Sequence, residues 1–234
     1  MKKALATILA VLIIDQWLKI WVKLNFFYGE NRELIPGWFD LQFVENPGMA
    51  FGWMLEGPTG KLMLSIFRVI VVTGIGYYLW KLIKQKAHTG YIICISLIIA
   101  GAFGNIIDSA VYGLMFNQGS LYDPSYHDYT AYLGLAAIES PGYAPFLMGN
   151  VVDMLHCTKT ITFPDWFPLL GGKTKDLFPP VFNVADSAIT LGITGILIWQ
   201  KKFFVKEEEP DLTPATNDAD APESQENSAE SQQA

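Results

Sequence analysis

Four long apolar stretches, separated by polar segments, constrain this 234-residue chain more than any other feature. They lie at approximately residues 4–24, 61–83, 90–114 and 181–204. Each is close to the ~20 residues that a helix needs to cross the ~30 Å hydrocarbon core of a bilayer. Hydrophobic residues make up 51% of the chain, which is too apolar for an ordinary soluble domain of this length. We therefore predict an all-α membrane protein with four transmembrane helices.

The first apolar stretch follows Lys2 and Lys3, as the apolar part of a secretory signal would. A small-residue cleavage site does not follow it. Instead the polar run Asp15-Gln16-Trp17-Leu18-Lys19 interrupts the stretch, which then continues as Ile20-Trp21-Val22. We therefore predict a retained helix.

Lysines mark one side of the membrane. They precede the first helix, separate the second from the third and follow the fourth, at Lys2, Lys3, Lys81, Lys84, Lys86, Lys201, Lys202 and Lys206. By the positive-inside rule these segments are cytoplasmic, and both termini with them. The longer loops, about residues 25–60 and 115–180, then lie outside. Alternation in Phe39-Asp40-Leu41-Gln42-Phe43, followed by turn residues Asn46-Pro47-Gly48, predicts a small extracytoplasmic β element.

The acidic C-terminal segment, residues 206–234, distorts the overall charge. It contains nine acidic residues and one lysine, so it contributes −8 to a net charge of −7 and leaves the rest of the chain at +1. We predict a disordered cytoplasmic tail after a peptidase domain at residues 1–205. A basic surface for nucleic acid is absent. Cys94 and Cys157 lack metal-binding spacing, and we expect two free thiols.

Acidic side chains interrupt three of the apolar stretches, where an ionised carboxylate costs several kcal/mol. With a rise of 1.5 Å per residue, Asp15 lies roughly 16 Å along the first helix and Asp108 roughly 27 Å along the third. Asp186 lies roughly 8 Å into the fourth helix, which enters from outside. All three therefore fall in the outer half of the membrane. Asn105 and Asn183 accompany them, and interhelical hydrogen bonding remains an alternative to a single site.

At these residues the sequence resembles the lipoprotein signal peptidases, or signal peptidase II. Five segments match the family's motifs in order. They are Asp15-Gln16-Trp17-Leu18-Lys19, Asn46-Pro47-Gly48-Met49-Ala50-Phe51-Gly52, Gly104-Asn105-Ile106-Ile107-Asp108, Val151-Val152-Asp153 and Phe182-Asn183-Val184-Ala185-Asp186. Each segment is a weak signal by itself. Five of them in order within four predicted spans form a specific pattern.

Two departures from the family pattern stand out. Where the family usually has an arginine after the third motif, this chain has Ser109, and Arg68 in the second helix is a candidate replacement. Snorkelling of Arg68 towards lipid phosphate is the alternative. The spacing between the later motifs is also longer, which indicates insertions at roughly residues 116–148 and 158–178 in the outer loops.

The resemblance implies an intramembrane aspartic endopeptidase in which Asp153 and Asp186 form the catalytic pair. Two carboxyls held close together in a partly desolvated site cannot both ionise, so they share one proton. One member then activates water while the other protonates the developing oxyanion. Substrate-binding or supporting roles are expected for Arg68 and for other residues of the motifs, namely Asp15, Lys19, Asn46, Gly48, Asn105, Asp108 and Asn183.

The family's substrate is a prolipoprotein that carries diacylglycerol and is cut just before the lipidated cysteine. The resemblance thus implies a monomeric enzyme of the bacterial inner membrane, with its site towards the outer face and membrane lipid around it. No cofactor is required. His88, His127 and His156 show no metal-ligand spacing, so no metal is expected either. A proton-coupled carrier and a non-catalytic membrane scaffold are the alternatives, although no internal repeat supports a carrier.

Overall fold

Long helices form most of the molecule. The computed structural model of the chain describes residues 1–48, 57–169 and 171–204. Helix α1 spans Lys2–Asn25, α2 spans Gly57–Lys84 and α3 spans Thr89–Ile107. Helix α3 continues through a π-helical turn, Asp108–Tyr112, into the short α4, Gly113–Met115. The first three predicted spans are confirmed as helices. Helix α2 begins earlier than expected because Pro58 suits a first turn, where a missing N–H breaks no helical hydrogen bond.

Three helical segments of the described chain are long and apolar enough to cross a membrane. They are Lys2–Asn25, Gly57–Lys84 and Thr89–Met115. Large apolar side chains such as Ile13, Trp17, Phe67 and Ile70 lie exposed on α1 and α2. Water would make such surfaces unfavourable, whereas lipid tails solvate them.

Helix α5, Val184–Phe203, is the fourth predicted span and is confirmed as a helix, although it is not among those three segments. Asp186, Lys201 and Lys202 lower its hydropathy. Its buried stripe, Ala185, Ala188, Gly192 and Gly195, consists entirely of small residues. A Cβ atom at Gly101 of α3 would lie 2.1 Å from the carbonyl oxygen of Ala185, so glycine allows the two backbones to approach closely.

The segments that connect the helices form a four-stranded antiparallel sheet. Strands β1 (Asn31–Ile35) and β2 (Phe39–Asn46) form a hairpin where the sequence predicts a small β element, and β3 (Leu121–Asp123) pairs with β4 (Asp128–Thr130) in a separate ribbon. Strands β5 (Val151–Thr162) and β6 (Thr174–Phe182) complete the main sheet in the order β1-β2-β5-β6. The predicted β element was therefore too small. Strand β5 pairs with β2 of the hairpin, more than 100 residues away in sequence, and β6 pairs with β5. The segment interpreted as an insertion at residues 158–178 supplies the end of β5 and the start of β6.

A cluster of buried side chains joins the sheet to the ends of α1 and α3. It contains Val22, Phe26, Phe43, Tyr112, Phe116, Ala136, Val152 and Met154. This core fixes β2 and β5 against the helices, next to the polar motif residues. Cys94 and Cys157 are both free, as predicted. The acidic segment 206–234 lies outside the described residues, as do Met49, Ala50, Phe51 and Gly52 of the second motif.

Candidate active site

The start of α5 organises the polar centre of the molecule. Asn183 is the single residue between β6 and α5, and it caps the helix, whereas the sequence had predicted that the helix would include it. Its Oδ1 accepts a 2.9 Å hydrogen bond from the backbone N–H of Asp186, and Asp186 Oδ2 accepts a 3.3 Å bond from the backbone N–H of Asn183. This reciprocal pair is a capping box. The Asn-Val-Ala-Asp sequence thus places Asp186 in the first helical turn, shallower than predicted.

Asp153 approaches the same residue from the sheet. Its carboxylate Oδ1 accepts a 2.6 Å hydrogen bond from Asn183 Nδ2, and only 3% of the residue is exposed. The side chain of Asn46 also hydrogen-bonds Asp153. Burial, and then the charge of Asp186, raises the pKa of Asp153 to about 7, while Lys19 and the two amide contacts oppose the rise. Asp153 can therefore hold or release a proton near neutral pH.

Asn105 of α3 links this centre to a second group of charges. Its Nδ2 donates a 2.9 Å hydrogen bond to Asp186 Oδ1. Its Oδ1 accepts bonds from Asn183 Nδ2 at 3.2 Å and from Lys19 Nζ at 2.8 Å. Both polar ends of the amide are therefore in use, which fixes its orientation beside Asp186.

Lys19 is completely buried between two carboxylates. Its Nζ lies 2.9 Å from Asp15 and 2.8 Å from Asp108. Asp15 Oδ1 accepts a hydrogen bond from the N–H of Ala185, and Asp108 Oδ2 accepts one from the N–H of Val152. The ion cluster therefore contacts the backbones that carry Asp186 and Asp153. Asp15, Asp108 and Asp186, which come from three helical segments, are thus linked through Lys19 and Asn105 in one network of polar contacts.

A cavity of about 250 Å³ opens beside Asp186. Most of its wall is apolar, and it is lined by Phe67, Arg68, Val71, Val72, Ala102, Asn105, Asp186 and Ile189. Arg68 is half-buried, and its charge interacts most strongly with Asp186 and next with Asp153. Helix α2 therefore directs Arg68 towards the carboxylates. Because α2 starts at Gly57, Arg68 lies roughly 16 Å along it.

Gly48 lies against the same part of α2. Its φ of +109° belongs to a region that L-residues with side chains rarely adopt. A Cβ atom there would lie 3.0 Å from Leu64 and 3.7 Å from Arg68 Nη1. Ser109, by contrast, is buried and donates a 3.1 Å hydrogen bond to the carbonyl of Asn105. The position that is usually arginine in the family is thus closely packed in this chain.

All ten predicted site residues are described, and they surround one centre. Sequence reasoning missed Gln16, which donates a 2.9 Å hydrogen bond to Asp108. It also missed the buried pair Lys23 and Glu45, although the spacing of Lys23 four residues after Lys19 was a usable signal. His156, for which the sequence shows no ligand spacing, lies in β5. Within the described ranges no group of three or more His, Cys, Asp or Glu residues could hold a metal ion.

Comparison with known proteins identifies the family. The sequence profile described as signal peptidase (SPase) II matches residues 7–202. The chain belongs to the signal peptidase II family. A lipoprotein signal peptidase of Porphyromonas gingivalis is 42% identical over 199 residues, covering 84% of this chain and 82% of the relative. One from Amoebophilus asiaticus is 34% identical, covering 81% of this chain and 74% of that protein. As a signal peptidase II, the chain is an aspartic protease.

Two solved structures share the fold. Both are titled as bacterial membrane enzyme structures determined by the in meso method, at 2.3 Å and 1.9 Å resolution. The first has a TM-score of 0.57 at 23% identity and covers 89% of this chain and 94% of its own. The second has a TM-score of 0.55 at 24% identity, with coverages of 86% and 94%. The signal peptidase II chain therefore has the architecture of a known membrane enzyme.

Proposed function

We propose that this chain removes signal peptides from diacylglyceryl-modified prolipoproteins, with Asp153 and Asp186 as the catalytic carboxyls. The relatives from Porphyromonas gingivalis and Amoebophilus asiaticus are named lipoprotein signal peptidases, which supports this substrate class. The observation that carries the residue assignment is the position of Asn183, which donates to Asp153 through its side chain and to Asp186 through its backbone N–H. One residue thereby holds two carboxyls from different elements in a common site.

The proposed reaction needs one shared proton. The ionised carboxyl takes a proton from water as the water oxygen bonds to the scissile carbonyl carbon, while the protonated carboxyl donates to the carbonyl oxygen. Collapse of the resulting gem-diol breaks the C–N bond, and the departing nitrogen receives a proton from the pair. A pKa of about 7 for Asp153 suits this exchange at neutral pH. Because the carboxyls titrate as a pair, neither residue is assigned a fixed acid or base role.

The cavity beside Asp186 has the character that a lipidated substrate needs. Phe67, Val71, Val72, Ala102 and Ile189 provide apolar walls, and Asp186, Asn105 and Arg68 provide the polar end. In this proposal the diacylglyceryl group stays with the apolar side chains and lipid. The peptide bond before the modified cysteine then reaches the carboxyls, where Arg68 supports the ionised member or a polar substrate group.

The membrane arrangement is part of the proposal. Helix α5 would be the fourth span, since it packs along α3 through its stripe of small residues. Lys201 and Lys202 at its end, with Lys2 and Lys3 at the start of α1, favour cytoplasmic termini by the positive-inside rule. The carboxyls at the opposite end of α5 would then face the outer side of the bacterial inner membrane. A monomeric enzyme, which the family resemblance implies, is part of the same proposal.

The test is cleavage of a lipidated precursor by purified Asp153→Asn and Asp186→Asn variants. Both should insert and fold but lose turnover, because an amide cannot take or give the required proton. Asp176→Asn, at an exposed position of β6, is the matched control and should keep wild-type activity. Turnover by either catalytic variant above a few per cent of wild type would contradict the assignment. A carrier or scaffold, by comparison, would show no cleavage in the wild-type protein.

A further inference from the structure

A second buried polar cluster lies close to the catalytic carboxyls but does not include them. It consists of Lys23 of α1, Glu45 of β2, Lys61 of α2 and Asn150, which immediately precedes β5. These residues are 0%, 5%, 7% and 1% exposed, respectively. The family motifs do not contain Lys23, Glu45, Lys61 or Asn150. Four charged or amide side chains buried together require a reason, because desolvation of each charge is costly.

Glu45 is the centre of this cluster. Its Oε1 pairs with Lys23 Nζ and accepts a 3.3 Å hydrogen bond from Tyr132. Its Oε2 accepts 2.7 Å bonds from Asn150 Nδ2 and from the backbone N–H of Ser120. Four donors from separate parts of the chain therefore hold one carboxylate in one orientation.

The surroundings hold the partners of Glu45 in place as well. Lys23 Nζ lies 5.0 to 6.0 Å from the ring centres of Phe116, Tyr143, Tyr132 and Phe43. Asn150 accepts a hydrogen bond from Lys61 through Oδ1 and donates its backbone N–H to Tyr143 at 2.7 Å. The segment at residues 116–148, which the sequence marks as an insertion, thus supplies Phe116, Tyr132 and Tyr143 around the cluster.

Strand register connects this cluster to the catalytic centre. Val44 lies opposite Asp153, Glu45 opposite Val152 and Asn46 opposite Val151. Successive side chains of a strand point to opposite faces. Glu45 therefore lies on the reverse face of the two strands from Asp153 and Asn46, which contact each other. A shift of Glu45 would move the neighbouring Asn46, and a shift of Asn150 would move the start of β5.

We propose that Glu45 is a positioning residue for cleavage, which fixes Asn46 and Asp153 from the reverse face of β2 and β5 through Lys23, Asn150 and the inserted segment. The proposal rests on the proposed function, because it requires Asp153 to be catalytic. It also gives the insertion at residues 116–148 a role, since Ser120, Tyr132 and Tyr143 come from it. Glu45 touches no substrate and acts only through Asn46 and the backbone.

The test compares Glu45→Gln, Asn46→Ala and the double variant in cleavage of a lipidated precursor across a pH series. Glu139→Gln is the matched control, because Glu139 is an exposed glutamate of the same inserted segment with one side-chain hydrogen bond. Small displacements of reacting groups cost about ten- to a hundredfold in rate. We expect Glu45→Gln to lower kcat about tenfold or more, with KM changed by less than about twofold.

The pH profile separates positioning from simple destabilisation. Loss of the Asn46 contact removes a hydrogen bond to ionised Asp153, so the inflection that reports Asp153 should move to higher pH in both single variants. The double variant should be at most about twofold slower than Asn46→Ala, because both changes remove the same interaction, the contact between Asn46 and Asp153. If Glu45→Gln fails to fold because Lys23 is left unpaired, the same measurements are made on K23Q/E45Q, in which both charges of the buried pair are removed.

Three outcomes count against the proposal, two of them from the cleavage assay. One is a folded Glu45→Gln protein with wild-type kcat and an unmoved inflection, and the other is a double variant whose losses multiply. A lower melting temperature with unchanged kcat per folded molecule also counts against it, because it would leave Glu45 a purely structural role. Failure of the proposed function gives a different result, because Asp153→Asn would then retain turnover whether or not Glu45 is substituted.

Discussion

Asp15 in the middle of α1 accepts a 2.8 Å hydrogen bond from the backbone N–H of Ala185, at the start of α5. The two residues are 170 positions apart in sequence. The first turn of a helix leaves N–H groups without partners inside the helix, and a carboxylate is favourable there. Asp15 therefore continues the cap that Asn183 begins, and the buried Lys19 balances its charge.

Lys19 is the residue whose loss should harm folding most. Lys19→Met leaves Asp15 and Asp108 buried without their cation, and breaking such a cluster typically costs about 3–5 kcal/mol. The variant should accumulate poorly and unfold at a markedly lower temperature in detergent. Adding Asp15→Asn and Asp108→Asn to Lys19→Met should restore much of the folded yield. A stable, active Lys19→Met protein would show that the cluster is weaker than its geometry indicates.

Asn183 should separate helix capping from carboxyl positioning. Asn183→Ala loses both, so it should cost about 0.5–2 kcal/mol in stability as well as activity. Asn183→Ser keeps a good cap but is too short to donate to Asp153. Its melting temperature should therefore lie near that of wild type while turnover stays low. Equal recovery of stability and turnover in the serine variant would contradict the role of the Asn183 amide.

The buried Asp153 should make stability depend on pH. Its pKa is about 7 in the folded protein against an ordinary value of 3.8, so the folded state binds more protons between these values. Stability should then fall as pH rises from about 4 to about 7. Asp153→Asn removes this effect and should raise the melting temperature at pH 8 but not at pH 4. Asp176→Asn, which is exposed, should show no such difference between the two pH values.

Arg68 should matter for cleavage more than for folding. Arg68→Ala removes the cation that interacts with Asp186 and Asp153, and we expect kcat/KM to fall at least about tenfold, or ~1.4 kcal/mol. Arg68→Lys should recover only part of the lost kcat/KM, since an ammonium cannot form the bidentate hydrogen bonds that a guanidinium can form with a carboxylate. Lys81→Ala at the far end of α2 is the control. Equal rates for all four proteins would indicate that Arg68 serves only to contact lipid.

A rescue of Arg68→Ala by Ser109→Arg, attractive from the sequence alone, is disfavoured by the structure. Ser109 is 3% exposed, and its carbonyl accepts a hydrogen bond from Gly149. An arginine at this position would have to displace that segment. The double variant should therefore be less stable than Arg68→Ala and no more active.

Two glycines offer a matched test of helix packing. Gly101→Ala places a Cβ atom 2.1 Å from the Ala185 carbonyl and should destabilise the protein by about 1–3 kcal/mol. Gly74→Ala meets no atom within 4 Å, and it should be neutral or stabilising by up to about 1 kcal/mol. Thermal unfolding in detergent measures both. Similar melting temperatures for the two variants would mean that α3 and α5 can separate without cost.

The sequence was sufficient for the features that depend on local pattern. Apolar length located the helices, and polar residues inside apolar runs, such as Asp15, Asn105 and Asp186, pointed to one centre. Strands β5 and β6 were missed because β5 pairs with β2, whose residues are distant in the chain, and β6 pairs in turn with β5. The cluster around Glu45 was invisible for the same reason, since Glu45 and Asn150 are 105 positions apart. The N-cap role of Asn183 was missed because the apolar residues before it resemble a continuation of the helix.

The one-residue joint between β6 and α5 limits where the chain can change in length. Extra residues are accommodated at 116–148 and beyond Thr158, where they form strands and loops outside the helices. The connection at Asn183 cannot change in length in this way, because the strand ends at Phe182 and the helix begins at Val184. A single residue inserted there would rotate α5 by about 100° relative to the sheet. Asp186 would then point away from Asp153, so the length of this joint sets the relative direction of the two carboxyls.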